Sequence, residues 1–151
     1  MKHEVRRLAK AACTLDGIYW YIAKGSGVKE NLLWLLYALD DGESHTQKQI
    51  CEDWLFPKTT INTLIKECQG LGYIDLRRIP GRGRELEICL TDTGRAYAER
   101  CLSMMYDIED TALVEALKDC SPSFIADFER FVESFQAAME RRLGKENTGT
   151  I

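Results

Sequence analysis

The segment Pro57–Thr91, PKTTINTLIKECQGLGYIDLRRIPGRGRELEICLT, limits what this chain can fold into more than any other stretch. Its first part has helical spacing. At about 100° per residue, Ile61, Leu64, Ile65 and Cys68 fall on one face, and Thr59, Thr63 and Lys66 fall opposite, flanked by Thr60 and Asn62. An ordinary solvent face would more often carry Glu/Lys pairs. This one carries short hydrogen-bonding groups that can reach base edges, framed by cations that can reach phosphates.

Gly70 and Gly72 supply a stop signal, and Tyr73–Arg78 follows as a strand with Ile74 and Leu76 on one side. Leu86, Ile88 and Leu90 alternate with Glu85, Glu87 and Cys89, the pattern of a half-buried second strand. Between them, Pro80-Gly81-Arg82-Gly83-Arg84 reads as a cationic hairpin tip. Upstream, Thr46-Gln47-Lys48-Gln49 has the S/T-x-x-Q form of a capping box, opening a short helix that turns Ile50, Cys51, Trp54 and Leu55 inward. Phe56-Pro57 then changes direction, with Pro57 predicted at the first position of the next helix. Two short helices, a turn and two strands with a basic tip make the winged helix-turn-helix order. A small α+β domain with a basic turn is the competing reading of the same pattern.

Charge supports the first reading once it is localised. Phe56–Leu86 holds six cations (Lys58, Lys66, Arg77, Arg78, Arg82, Arg84) and three anions (Glu67, Asp75, Glu85), a net of +3 within a chain of −4, which leaves −7 for the rest. That asymmetry suits a phosphate-facing patch on an acidic molecule. The chain's 151 residues suffice for one domain with a core and helical extensions. Its longest apolar run, Leu32–Leu39, is too short to span a bilayer, and the charged start MKHEVRRLAKAAC is unlike a signal peptide, so a cytoplasmic location without membrane contact is expected. Six cysteines without C-x-x-C and two histidines, His3 and His45, give no metal-site spacing; reduced structural thiols, no metal and no cofactor are expected.

The flanks are helical. Val5, Leu8, Ala12, Leu15, Tyr19 and Ile22 predict a helix over about residues 3–23 with a narrow apolar seam suited to another long helix, and Gly17 marks a bend in it. Glu30–Asp40 is apolar nearly all round and predicts a buried helix. Thr91 can cap a long helix on which Tyr97, Cys101, Met104, Ile108 and Ala112 recur, and Ser121-Pro122 interrupts it. A last helix from about Pro122 to Leu143 aligns Phe124, Phe128, Phe131 and Phe135. These striped helices lie outside the reading module, which predicts a homodimer with Leu8, Leu15, Ile22 and the four phenylalanines at its interface. Residues 144–151 read as a frayed tail.

Over residues 3–143 the chain resembles the MarR family of transcriptional regulators. The resemblance rests on PKTTINTLIKECQGLGYIDL, the wing arginines and Leu90-Thr91-x-x-Gly94. It implies a mainly α fold with a small β-hairpin wing, in which a winged helix-turn-helix core (28–96) sits between N- and C-terminal dimerisation helices (3–24 and 97–143). It further implies that Lys58–Lys66 enters the major groove and Arg84 the minor groove. Arg82 stands where the family commonly has an aspartate orienting the wing arginine, a role Asp75 or Glu85 would have to fill. Cys68 replaces the usual core leucine. The DNA-contacting set is then Thr46, Gln47, Lys58, Thr59, Thr60, Asn62, Thr63, Lys66, Arg78, Arg82 and Arg84, acting on a double-stranded, pseudo-palindromic operator.

The resemblance also implies a repressor modulated by an aromatic or phenolic small molecule, with Tyr19, Trp20, Trp34 and Tyr37 walling its pocket; the same rings could instead fill the core and the dimer seam. A peroxide-sensing branch of the family uses a cysteine near the first helix, and Cys13 lies in that region. No G-x-S-x-G, H-E-x-x-H, P-loop or Rossmann pattern is present, so no enzyme is expected. The alternative function is a winged-helix protein-interaction module without sequence-specific DNA binding.

Overall fold

A computed structural model describes residues 1–83 and 85–144. The order is α1 (Lys2–Gly25), α2 (Glu30–Leu39), β1 (His45–Thr46), α3 (Gln47–Asp53), α4 (Lys58–Gly70), β2 (Ile74–Arg78), β3 (Leu86–Leu90), α5 (Asp92–Ala116) and α6 (Phe124–Leu143). Among the described residues the fold is mainly helical with one small sheet, as the sequence predicts.

The core forms around α2, whose Leu33, Leu35 and Leu36 are fully buried. Against it lie Ile61, Leu64, Ile65 and Cys68 of α4, Ile74, Ile88 and Leu90 of the sheet, and Ala98, Cys101, Leu102 and Met105 of α5. The apolar face of α4 is therefore the one its spacing predicts. Sheet order is β1-β3-β2, antiparallel throughout, with Ile74 opposite Leu90, Leu76 opposite Ile88 and His45 also opposite Ile88. The two wing strands are expected; β1 is not, because two residues are too short to show alternation.

Several expectations need correction. Ile22 is buried inside the chain's own core with Ala23, so its side chain is not available to a seam between subunits. The helix α1 runs unbroken through Gly17. Pro57 stands at the cap before α4 rather than in its first turn, with extended backbone (ψ 132°). On α5 the buried face is Gly94, Ala98, Cys101, Leu102 and Met105, which leaves Met104 and Ile108 exposed. Small residues at 94 and 98 let that helix sit close to the body, and the larger stripe turns away. The third helix ends at Asp53, so Trp54 and Leu55 lie beyond it and are exposed rather than inward. Leu55 adopts φ +52°, a left-handed conformation that costs a branched residue about 1–2 kcal/mol.

No residue of α6 is buried. Its four phenylalanines are all exposed, and so are Val5, Leu8 and Leu15 of α1. No helix among the described residues is long and apolar enough to cross a membrane. The tail expected over 144–151 lies outside the described residues beyond Gly144.

Candidate nucleic-acid interface

The outer face of α4 carries Lys58, Thr59, Asn62, Thr63 and Lys66, all exposed, with Thr60 half-buried at its edge. Lys58, Lys66 and Arg78 hold no ion pair among the described residues, so their charges are directed to solvent. The Thr63 hydroxyl donates to the Thr59 carbonyl at 3.0 Å, a bond back to its own helix that leaves the methyl group outermost. Asn62 Oδ1 accepts from Gln47 Nε2 at 2.9 Å, joining the first turn of α3 to the middle of α4.

Thr46 is corrected as a contact residue. It is only 4% exposed, and its hydroxyl accepts from the Gln49 amide at 3.2 Å while Gln49 Oε1 takes the Thr46 amide at 2.8 Å. This is the capping box the sequence predicts, and it occupies the side chain that was expected to face DNA. On the wing, Arg82 lies 3.9 Å from Glu85, so Glu85 faces an arginine, though the one at 82. Arg84 lies outside the described residues.

The Leu90-Thr91-x-x-Gly94 motif is a backbone joint. The Thr91 amide donates to the Tyr73 carbonyl at 3.0 Å, its hydroxyl donates to the Gly72 carbonyl at 2.6 Å, and the same oxygen caps the Gly94 amide at 2.9 Å. A Cβ at position 94 would overlap the Tyr73 carbonyl, so only glycine fits there. Gly72, at φ +73°, turns the chain from α4 into β2. Tyr73 and Tyr97 stack across the joint with centroids 4.3 Å apart. The helix α4, the wing and α5 are thereby fixed to one another.

Behind this surface the expected aromatic set comes together in part. Tyr19 meets Trp34 at 4.4 Å, and Trp34 meets Tyr37 at 5.9 Å. Trp20 does not join them; it is exposed against Tyr21, with the Lys24 ammonium 5.2 Å from its ring. Sequence reasoning missed Trp54 and Tyr106, which pack on Tyr37 at 5.7 and 5.6 Å. It also missed the acids that hold the phenols. Tyr19 and Tyr37 both donate to Glu109, at 2.7 and 3.3 Å, and Tyr106 donates to Asp40 at 2.7 Å. No local signal links positions 90 residues apart. Burial, then the Glu109 or Asp40 carboxylate, raises the pKa of Tyr19 and of Tyr106 well above the ordinary tyrosine value. Tyr37 is raised for the same reasons. A cleft of about 350 Å³ opens beside Tyr37, Trp54 and Tyr106 and is lined also by Asp40, Asp41, His45 and Asp53.

The thiols differ in their surroundings. Burial pushes Cys68 up to about 11 and raises Cys51 against the pull of Lys58, while Cys13 stands alone and exposed on α1. Among the described residues no group of histidine, cysteine and carboxylate side chains could hold a metal ion.

A polar-faced helix held across a capped short helix, with a two-stranded wing beside it, defines a winged helix-turn-helix protein. Residues 26–85 match the MarR family model. That match covers 60 of the 151 residues, and the structure around it is that of a winged-helix protein. Its fold is similar to that of NMB1585, a MarR family regulator from Neisseria meningitidis, with a TM-score of 0.78 at 23% identity over 92% of this chain and 98% of the other. It is similar also to NadR in complex with 4-hydroxyphenylacetate, with a TM-score of 0.67 at 12% identity over 85% and 88% of the two chains. A third likeness is to overoxidized AbfR bound to DNA, with a TM-score of 0.57 at 20% identity over 93% and 100%. No curated protein sequence matches the chain.

Proposed function

We propose that this protein is a homodimeric, sequence-specific repressor. On this reading residues 28–96 read double-stranded DNA in the cytoplasm, and the helices over 3–24 and 97–143 dimerise. The observation that carries the reading is the outer face of α4, where hydrogen-bonding side chains stand exposed between the unpaired cations Lys58 and Lys66. Such a face costs solvation to bury against protein, yet it matches a major groove flanked by phosphates. The DNA-bound state of AbfR, which shares the fold, supports the same assignment. A two-fold dimer would set two α4 helices in successive major grooves, so the operator is a pseudo-palindrome with half-site centres about 10 bp apart.

The experiment is selection from a randomised duplex library, followed by titration of the selected and a scrambled duplex at several salt concentrations. Enrichment of a two-fold sequence, with affinity for both duplexes falling steeply as salt rises, is expected. Absence of binding to either duplex would favour the protein-interaction module instead.

An effector is part of this reading. The cleft beside Tyr37, Trp54 and Tyr106 has the aromatic walls of a small-molecule site, and NadR, with the same fold, takes 4-hydroxyphenylacetate. Its lining also holds three carboxylates, Asp40, Asp41 and Asp53, against one imidazole, His45, which pairs with Asp41, and no lysine or arginine among the described residues. An anionic aromatic acid is therefore disfavoured here, and a neutral or cationic aromatic ring fits better. A ligand that weakens operator binding must prefer the non-DNA spacing of the two reading heads. Neutral phenols and aromatic amines should raise the melting temperature and weaken DNA binding together, and benzoates should do neither.

A further inference from the structure

Residues 1–16 are all exposed, and α1 enters the core of its own subunit only further along, at Tyr19, Ile22 and Ala23. The start of α1 therefore stands out as an arm, with Val5, Leu8 and Leu15 along one side. Its charges are mostly positive, Lys2, Arg6, Arg7 and Lys10 against Glu4. Glu4 is taken by the amino terminus, whereas none of the four cations holds an ion pair among the described residues. The helix α6 is its counterpart. Nothing on it is buried, and Phe124, Phe128, Phe131 and Phe135 with Ile125 and Val132 form its apolar side. At helical spacing Glu129 and Glu133 stand one above the other along the Ile125 and Val132 edge of that side. Asp127 is answered by Arg130 within the helix, but these two glutamates hold no ion pair among the described residues.

From these two free surfaces we infer that the arm of α1 lies along α6 of a second copy of this chain, with Arg6 and Arg7 set against Glu129 and Glu133. Within the subunit both stripes stand in water, so neither covers the other. Across a two-fold axis each arm covers the partner's helix, and the contact is made twice. Charge selects this pairing over its alternatives. Two arms side by side would oppose Arg6 and Arg7 with their own copies, and two α6 helices would oppose glutamate with glutamate. Charges that flank an apolar seam between helices set partner choice and orientation, like signs disfavouring the pair and opposite signs favouring it. Arg141 and Arg142 at the far end of α6 repel the arm, which confines it to the first half of that helix. Apolar burial then supplies the affinity, and the four charged side chains supply the choice of partner surface. The inference rests on the proposed dimer and names the side chains that select its pairing, which the apolar stripes alone leave open.

The test uses the full-length protein and follows its mass by analytical ultracentrifugation across a dilution series. One variant carries Arg6→Glu and Arg7→Glu, a second carries Glu129→Lys and Glu133→Lys, and a third carries all four changes. Each of the first two should dissociate at about tenfold higher concentration than the wild type, and the third should return to within about threefold of it. Mixing the first two should give a mixed dimer in which both contacts are restored. Raising the salt should loosen the wild-type dimer and relieve the repulsion in the first two variants. Recovery in the four-change chain and in the mixture separates lost pairing from lost folding. If either pair of changes alone left dimerisation as in the wild type, or if the four-change chain were no tighter than the first two, the inference would be overturned and the dimer itself would stand. Loss of operator binding by the first variant at unchanged dimerisation would place the arm on DNA and overturn it as well. A monomeric wild-type protein would remove both the inference and the dimer on which it rests.

Discussion

At the residue scale, side chains of similar polarity on α4 are committed differently. Thr63 spends its hydroxyl on the Thr59 carbonyl, so what it offers outward is a methyl group. Thr63→Val should therefore keep operator affinity, while Thr63→Ala should lose roughly 1 kcal/mol, the value of an apolar contact with thymine. Lys66→Ala should behave otherwise, weakening selected and scrambled duplexes alike and flattening the salt dependence. Anisotropy titrations of the three variants would separate these outcomes, and a Thr63→Val loss equal to that of Thr63→Ala would refute the assignment. The sequence makes the outer face of α4 legible because helical period alone decides it. It hides the hydroxyl's direction, and it hides the burial of Thr46, because both depend on local hydrogen bonds that compete for the same oxygen atoms.

At the scale of elements, two backbone positions should respond in opposite directions. Gly94→Ala drives a methyl into the Tyr73 carbonyl and should destabilise by about 3 kcal/mol or more, since neither backbone can yield without breaking the Thr91 joint. Leu55 bears a left-handed backbone with its side chain in solvent, so Leu55→Asn should stabilise by about 0.5–1 kcal/mol. Chemical denaturation measures both. The phenol–carboxylate contacts give a pH signature. Tyr19, Tyr37 and Tyr106 have folded pKa values raised above the ordinary value of 10.0. Their contribution to stability is then complete below that pH and is lost as pH rises through the folded values. The melting temperature should fall above about pH 10, and less steeply once Tyr19 and Tyr106 are both phenylalanine. The cap at Thr91 and the box at Thr46 can be read from adjacent residues. The Glu109 and Asp40 contacts cannot, because they join helices far apart in the chain, and the buried face of α5 was displaced by one residue because glycine and alanine, not its larger side chains, make the approach.

At the scale of the molecule, the exposed stripes of α1 and α6 remain to be covered. Four phenylalanines with Ile125 and Val132 on one helix that buries nothing form an apolar surface beyond what single chains normally leave in water. Light scattering at micromolar concentration should give about twice the chain mass of 17.3 kDa. Replacing Phe128 and Phe131 by serine should shift it toward the monomer and abolish operator binding, with the helical content of the winged core kept. A monomeric wild-type protein would remove the basis for the two-fold operator. The sequence reveals which stripes lack a partner, apart from Ile22, whose place in the subunit core depends on how α1 crosses α2. The Thr91 joint has one more consequence at this scale. Only the cap residue separates the end of β3 from the start of α5, and α5 then runs 25 residues, about 37 Å. Its first residue is thereby joined to the wing with no intervening loop. No slack lies at that joint, so a pivot of α5 would carry α4 and the wing with it as one rigid displacement.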